Sequence, residues 1–105
     1  MTKAEVFFEA ILLQSGDPEY AVRFVCIQIE RDLRSGDDVQ NIGTAWGISQ
    51  DALYSYDRDH LIRRLVDEPA SILDIPDSKC INDHLPKDRP PTAQDIRKAL
   101  KACQK

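Results

Sequence analysis

The sequence predicts an all-α protein, a compact bundle of five or six short helices. Three observations predict it. Apolar residues recur at helical spacing through most of the chain, no stretch alternates apolar and polar residues as a half-buried strand does, and Ser, Thr, Asp, Gly and Pro stand where helices begin and end. The length of 105 residues matches one domain, 1–105, around one core.

The first helix covers residues 3–14. Val6, Ala10 and Leu13 form its apolar stripe, Phe7 and Ile11 widen it, and Ser15-Gly16 stops it. Asp17-Pro18 then supplies an N-cap and a proline at the first helical position, where the missing N–H costs nothing. From there to about residue 34, Ala21, Val22, Phe24, Val25, Ile27, Ile29 and Leu33 make a helix apolar around most of its circumference, so it should run through the core. Ser35-Gly36 ends it. Asp37 or Asp38 caps a third helix over residues 39–46, and Ser49 caps a fourth that should continue to about residue 66, with Pro69 as its limit. The Pro-rich connection 69–91 has room for only a short helix near residues 78–85. Thr92 caps the last helix, within 92–104, with Asp95 at the capping-box position and Ile96, Ala99, Leu100 and Cys103 on one face.

Composition is that of a globular chain, 42% hydrophobic and 30% charged. No apolar run approaches the roughly 20 residues needed to span a bilayer, so no membrane association is expected. The longest, VFFEAILL, is interrupted by Glu9 and lacks the basic lead and cleavage site of a secretory signal, and a cytoplasmic location is expected. Three cysteines, Cys26, Cys80 and Cys103, leave an odd thiol under any pairing and form no CxxC. They are expected to be reduced apolar filler, with Cys26 the most buried.

Residues 39–58, VQNIGTAWGISQDALYSYDR, have the spacing of a helix-turn-helix. That pattern requires apolar residues at its fourth, eighth, tenth, fifteenth and eighteenth positions, which are Ile42, Trp46, Ile48, Leu53 and Tyr56. Gly43 is the small residue where two helices approach closely. Gly47 stands where the turn requires positive φ. Trp46 should be buried against the second helix, its indole N–H finding an acceptor. The run GISQDALYSYDRDHLIRRL resembles the second helix of tetracycline-repressor-type and sigma-factor region-four motifs, a likeness confined to roughly a fifth of the chain. The resemblance implies a helix-turn-helix protein in which Ser49, Gln50, Asp51, Tyr54 and Ser55 face DNA bases or phosphates and Arg58 adds a phosphate contact. One short motif binds a half-site weakly, so a homodimer is expected with it. Non-enzymatic DNA binding in transcriptional control is the first expectation.

Charge points elsewhere. Residues 1–38 carry four basic and eight acidic groups, 39–68 three and five, and 69–105 seven and five, a net of -4 for the whole chain. Asp51, Asp57 and Asp59 lie on or beside the DNA-facing helix, in the negative field of any duplex. The alternative is therefore a small acidic interaction module, of the immunity or inhibitor kind, that binds a basic protein. Glu5, Glu9, Asp17, Glu19, Glu30, Asp32, Asp37 and Asp38 supply the acidic half, and Glu30, Asp32, Asp37 and Asp38 are its candidate partner-binding residues. Catalysis has less support. Cys80 and His84 are four apart, with Asp83 beside them, a spacing that suits a thiolate–imidazole pair or two metal ligands, but either use needs further groups from elsewhere. The chain has no phosphate-binding glycine loop, no HExxH and no GxSxG. No enzymatic activity, metal or other cofactor is expected.

Overall fold

Thr2 opens the first element of the structure, a computed structural model that describes residues 2–36, 38–73 and 75–104. Its hydroxyl accepts from the Glu5 backbone N–H at 3.2 Å while the Glu5 carboxylate reaches back, a complete capping box for α1 (Lys3–Ser15). Gly16, at φ 67°, closes the helix in the left-handed conformation. Asp17 caps α2 (Pro18–Arg34) through the N–H groups of Glu19 and Tyr20. Asp38 caps α3 (Val39–Trp46), Ser49 caps α4 (Gln50–Ser55) and Asp57 caps α5 (Arg58–Asp67). The single turn α6 (Pro69–Ile72), α7 (Ser78–His84) and α8 (Ala93–Cys103) complete the chain. The regular secondary structure among the described residues is thus seven helices and one helical turn, more than the five or six expected. None is long and apolar enough to cross a membrane.

The excess has a local cause. A single helix over residues 49–66 is expected from periodicity, but the chain leaves it at Tyr56 (φ -122°, ψ 142°) and restarts at Asp57. The Asp57 carboxylate accepts from the His60 N–H at 2.9 Å, satisfying a donor that an uninterrupted helix would have satisfied through its backbone.

Helix α2 is the core element, packed on α1, α3, α5 and α7. Ala21, Val25, Cys26, Ile29 and Leu33 are buried along it, and a fully buried Leu, Ile or Val contributes about 1.5–3 kcal/mol relative to exposure. The α1 face differs from expectation. Ala4, Phe8 and Leu12 are buried, whereas Val6 and Leu13 are about half exposed and Ala10 is exposed. VFFEAILL is apolar on two faces, and only one of them meets α2. Phe7 instead turns toward Trp46, ring edge to ring face at 5.1 Å.

The C-terminal third is tied down covalently and by charge. Helices α7 and α8 pack together, and Cys80 and Cys103 form a disulfide with Cα atoms 6.0 Å apart. This corrects the expectation of three reduced thiols: residues 23 apart in sequence meet only because the two helices pack. Cys26 is free and buried, as expected. Thr92 and Asp95 form the expected capping box, and Arg89 clamps Asp95 through both terminal guanidinium nitrogens. Arg89 first, and then the Thr92 N–H, holds the Asp95 carboxyl well below the usual carboxylate range.

Candidate functional site

Two surfaces are candidates for a functional site. The first is the α3–α4 corner. Gly47 closes α3 at φ 91°, and its N–H bonds to the carbonyls of Gly43 and Thr44. Ile48 then pairs its backbone with Leu73, and the Ser49 N–H donates to the Ile72 carbonyl at 3.0 Å. A Cβ on Gly43 would run into the buried Leu53 side chain, so the two helices meet where only hydrogen fits. Trp46 is 2% exposed. Its indole N–H donates to the Asp32 carboxylate of α2 at 2.8 Å, and the Lys3 ammonium lies 4.5 Å from the ring centroid.

The outer side of this corner presents Ser49, Gln50, Asp51, Tyr54 and Ser55, all exposed, with Arg58 half-buried beyond the helix break. Tyr54 is 79% exposed. The structure brings these residues to one region, but α4 has six residues, a rod of about 9 Å. Asp51 on it, and Asp57 and Asp59 beyond its end, are exposed. The His60 backbone N–H, and next the His60 ring, holds the Asp57 carboxyl below its ordinary range, so this charge persists into acid.

The second surface is an open apolar groove of ≈ 800 Å³ between α2, the end of α5 and the segment from α6 into α7. Val22, Cys26, Leu65, Leu73 and Ile75 line it, and Ile27 and Val66, 59% and 68% exposed, stand on its lips. Among the described residues, five carboxylates rim it: Glu19, Glu30, Asp67, Glu68 and Asp77. Arg23 is the one basic residue among the described residues of the lining, and it pairs with Glu19 at 3.1 Å. Arg34 engages Glu30 and Arg64 engages Glu68 from beside the groove. Asp77 stands at the start of α7 without a side-chain capping bond.

Of the three candidate partner-binding residues among the described ones, Glu30, Asp32 and Asp38, Glu30 alone lines this groove. Asp32 is committed to Trp46, Asp38 to the Gln40 N–H at the start of α3, and Asp37 lies outside the described residues. The missed groove residues, Asp67, Glu68 and Asp77, come from the less acidic part of the sequence. Chain-wide charge counting could not find them, because the rim joins three separate segments of the chain.

Cys26 in the groove wall is 8% exposed, and burial, reinforced by the Glu30 charge, pushes its thiol up to about 11. The thiolate is the reactive form. Iodoacetamide should therefore leave Cys26 of the native protein unmodified near neutral pH, with the rate climbing only as pH approaches that raised value. Mass spectrometry after unfolding and differential labelling reads the outcome, and rapid labelling at neutral pH contradicts it.

Comparison of the chain with family models, with curated proteins and with solved structures gives no significant match.

Proposed function

We propose that this protein is a non-enzymatic interaction module whose groove between α2, α5 and α7 takes a basic, amphipathic helical segment of a partner protein. The observation that carries this reading is the coincidence of an apolar trough with exposed Ile27 and Val66 at its lips and five carboxylates around it. A helix laid in such a groove buries its apolar stripe against Val22, Leu65 and Ile75, while its Lys or Arg residues meet the rim. Charge complementarity sets orientation and speeds encounter; burial at the lips supplies most of the affinity.

The test is chemical-shift mapping of the ¹⁵N-labelled protein with a Leu/Lys amphipathic helical peptide and with its Leu/Glu counterpart. The Leu/Lys peptide should shift resonances at Ile27, Val66, Ser71 and Ser78. Ile27→Ser with Val66→Ser should weaken binding by about tenfold or more. Asp67→Lys with Asp77→Lys should mainly slow association. Equal binding of the acidic peptide, or shifts confined to other faces, rejects the reading.

The exposed row on α4, with Tyr54 at its centre, favours one second reading, DNA binding through residues 39–58 as a helix-turn-helix. That reading requires duplex retention at about 50 mM salt that falls steeply as salt rises. It also requires Gln50→Ala to relax base preference by about 1–3 kcal/mol at one position, while Arg58→Ala weakens all sequences alike. Folded protein that retains no duplex at low salt excludes it.

A further inference from the structure

The disulfide between α7 and α8 has a third member. His84, one helical turn after Cys80, places its Nδ1 3.9 Å from the Cys80 sulfur and 3.6 Å from the Cys103 sulfur. The ligand-capable atoms of Cys80, His84 and Cys103 all lie within 4.8 Å of one another. The two cysteines are half-buried and His84 is exposed, so the cluster is accessible from one side. None of the three belongs to the groove or to the α3–α4 corner.

A zinc ion bound by sulfur at about 2.3 Å and by imidazole nitrogen at about 2.0–2.1 Å, with tetrahedral angles, separates nitrogen from sulfur by about 3.5 Å. The two nitrogen–sulfur distances already approach that value. The sulfurs alone are too close, because they are bonded to each other, and once released they part by rotation about χ1. Thiolate and imidazole are also the donor set that zinc prefers. We propose that the reduced protein binds a zinc-class divalent ion through Cys80 Sγ, Cys103 Sγ and His84, with a fourth position open to water, and that the disulfide is the metal-free form of the same site.

The chemistry balances as two steps. A dithiol reductant delivers two electrons and two protons to the Cys80–Cys103 bond and becomes a disulfide itself, leaving two thiols on the protein. The ion then displaces those two protons into solvent and forms two metal–thiolate bonds and one metal–imidazole bond. His84 exchanges its 2.9 Å contact with the Cys80 carbonyl for the metal. In either state α7 and α8 stay linked, by sulfur–sulfur or by sulfur–metal–sulfur. Metal occupancy thus reports the thiol–disulfide balance around the protein.

Cobalt(II) is the probe, because tetrahedral thiolate coordination gives it intense visible bands and a thiolate-to-metal charge-transfer band. Anaerobic titration of fully reduced protein should produce those bands with one cobalt per chain, zinc(II) should bleach them, and oxidised protein should produce none. Cys26→Ser should leave the spectrum unchanged. His84→Ala should weaken binding by at least the roughly 10- to 100-fold that loss of a mere supporting residue costs. Cys80→Ser and Cys103→Ser should abolish the charge-transfer band. Should either cysteine variant fail to fold, His84→Ala decides, since its exposed ring leaves both helices intact when removed and circular dichroism verifies this. Reduced, helical protein that stays colourless with cobalt overturns the proposal. So does binding that survives His84→Ala undiminished.

Discussion

Trp46→Ala should lower the free energy of unfolding by about 3–5 kcal/mol, the usual cost of truncating a large buried aromatic. A chain of 105 residues has about 5–15 kcal/mol in total, so the variant loses from about a fifth of its stability to all of it. The effect is expected to be large because one side chain joins three elements. It fills space beneath the α3–α4 corner, donates to Asp32 on α2 and meets Phe7 of α1. Trp46→Phe separates the parts. It keeps most of the volume but leaves the Asp32 carboxylate without its donor, and should cost about 1–3 kcal/mol. Urea denaturation measures both, as a lower midpoint with an unchanged slope. A Trp46→Ala loss below 1 kcal/mol would mean that the indole fills no packed site.

Gly47→Val should be nearly as damaging, for a backbone reason. At φ 91° a β-branched side chain is strained, and left-handed strain costs of the order of 1–3 kcal/mol. The added Cβ would also lie 2.6 Å from both the Cβ and the methyl of Thr2, so Thr2 must move. Thr2 caps α1, and a lost threonine cap costs a further ~1 kcal/mol. Gly36 provides the control. It too has positive φ, at 92°, but a Cβ there meets no atom of the described residues within 4 Å, so Gly36→Val carries the strain without the collision. The difference in denaturation midpoint between the two variants isolates the Thr2 contact. Equal midpoints contradict the collision.

Local chemistry made much of this fold legible in the sequence. Asp17-Pro18, Ser49, the Thr92–Asp95 box and Gly47 all act within four residues of themselves, and each stands where its type predicts. The Trp46 N–H finds its acceptor on the second helix because a buried indole needs one. What could not be read depends on residues far apart. The buried face of α1 is chosen by α2, since VFFEAILL offers two apolar faces to choose from. The break at Tyr56 arises because Asp57 caps better than it continues, and Ser49 to Val66 carries no glycine or proline to announce it. Asp32 reads as surface charge in the sequence and is engaged by Trp46 in the fold. The groove rim joins residues from Glu19 to Asp77, and the Cys80–Cys103 bond joins two helices across the Pro-rich connection.

That bond also closes a covalent ring around an exposed stretch of chain. Lys87, Asp88 and Arg89 are exposed inside it, and the bond after Arg89 is shielded from trypsin-like proteases by Pro90. A cut after Lys87 therefore leaves two pieces that remain one molecule, with α8, on the C-terminal piece, held to the N-terminal piece by the disulfide and by its packing on α7 and α1. The nicked chain gains the mass of one water and runs as a single species until a reductant is added. Reduction in metal-free denaturant then turns a silent cleavage into the release of α8, so a proteolytic scar in this loop would be recorded long before it is expressed.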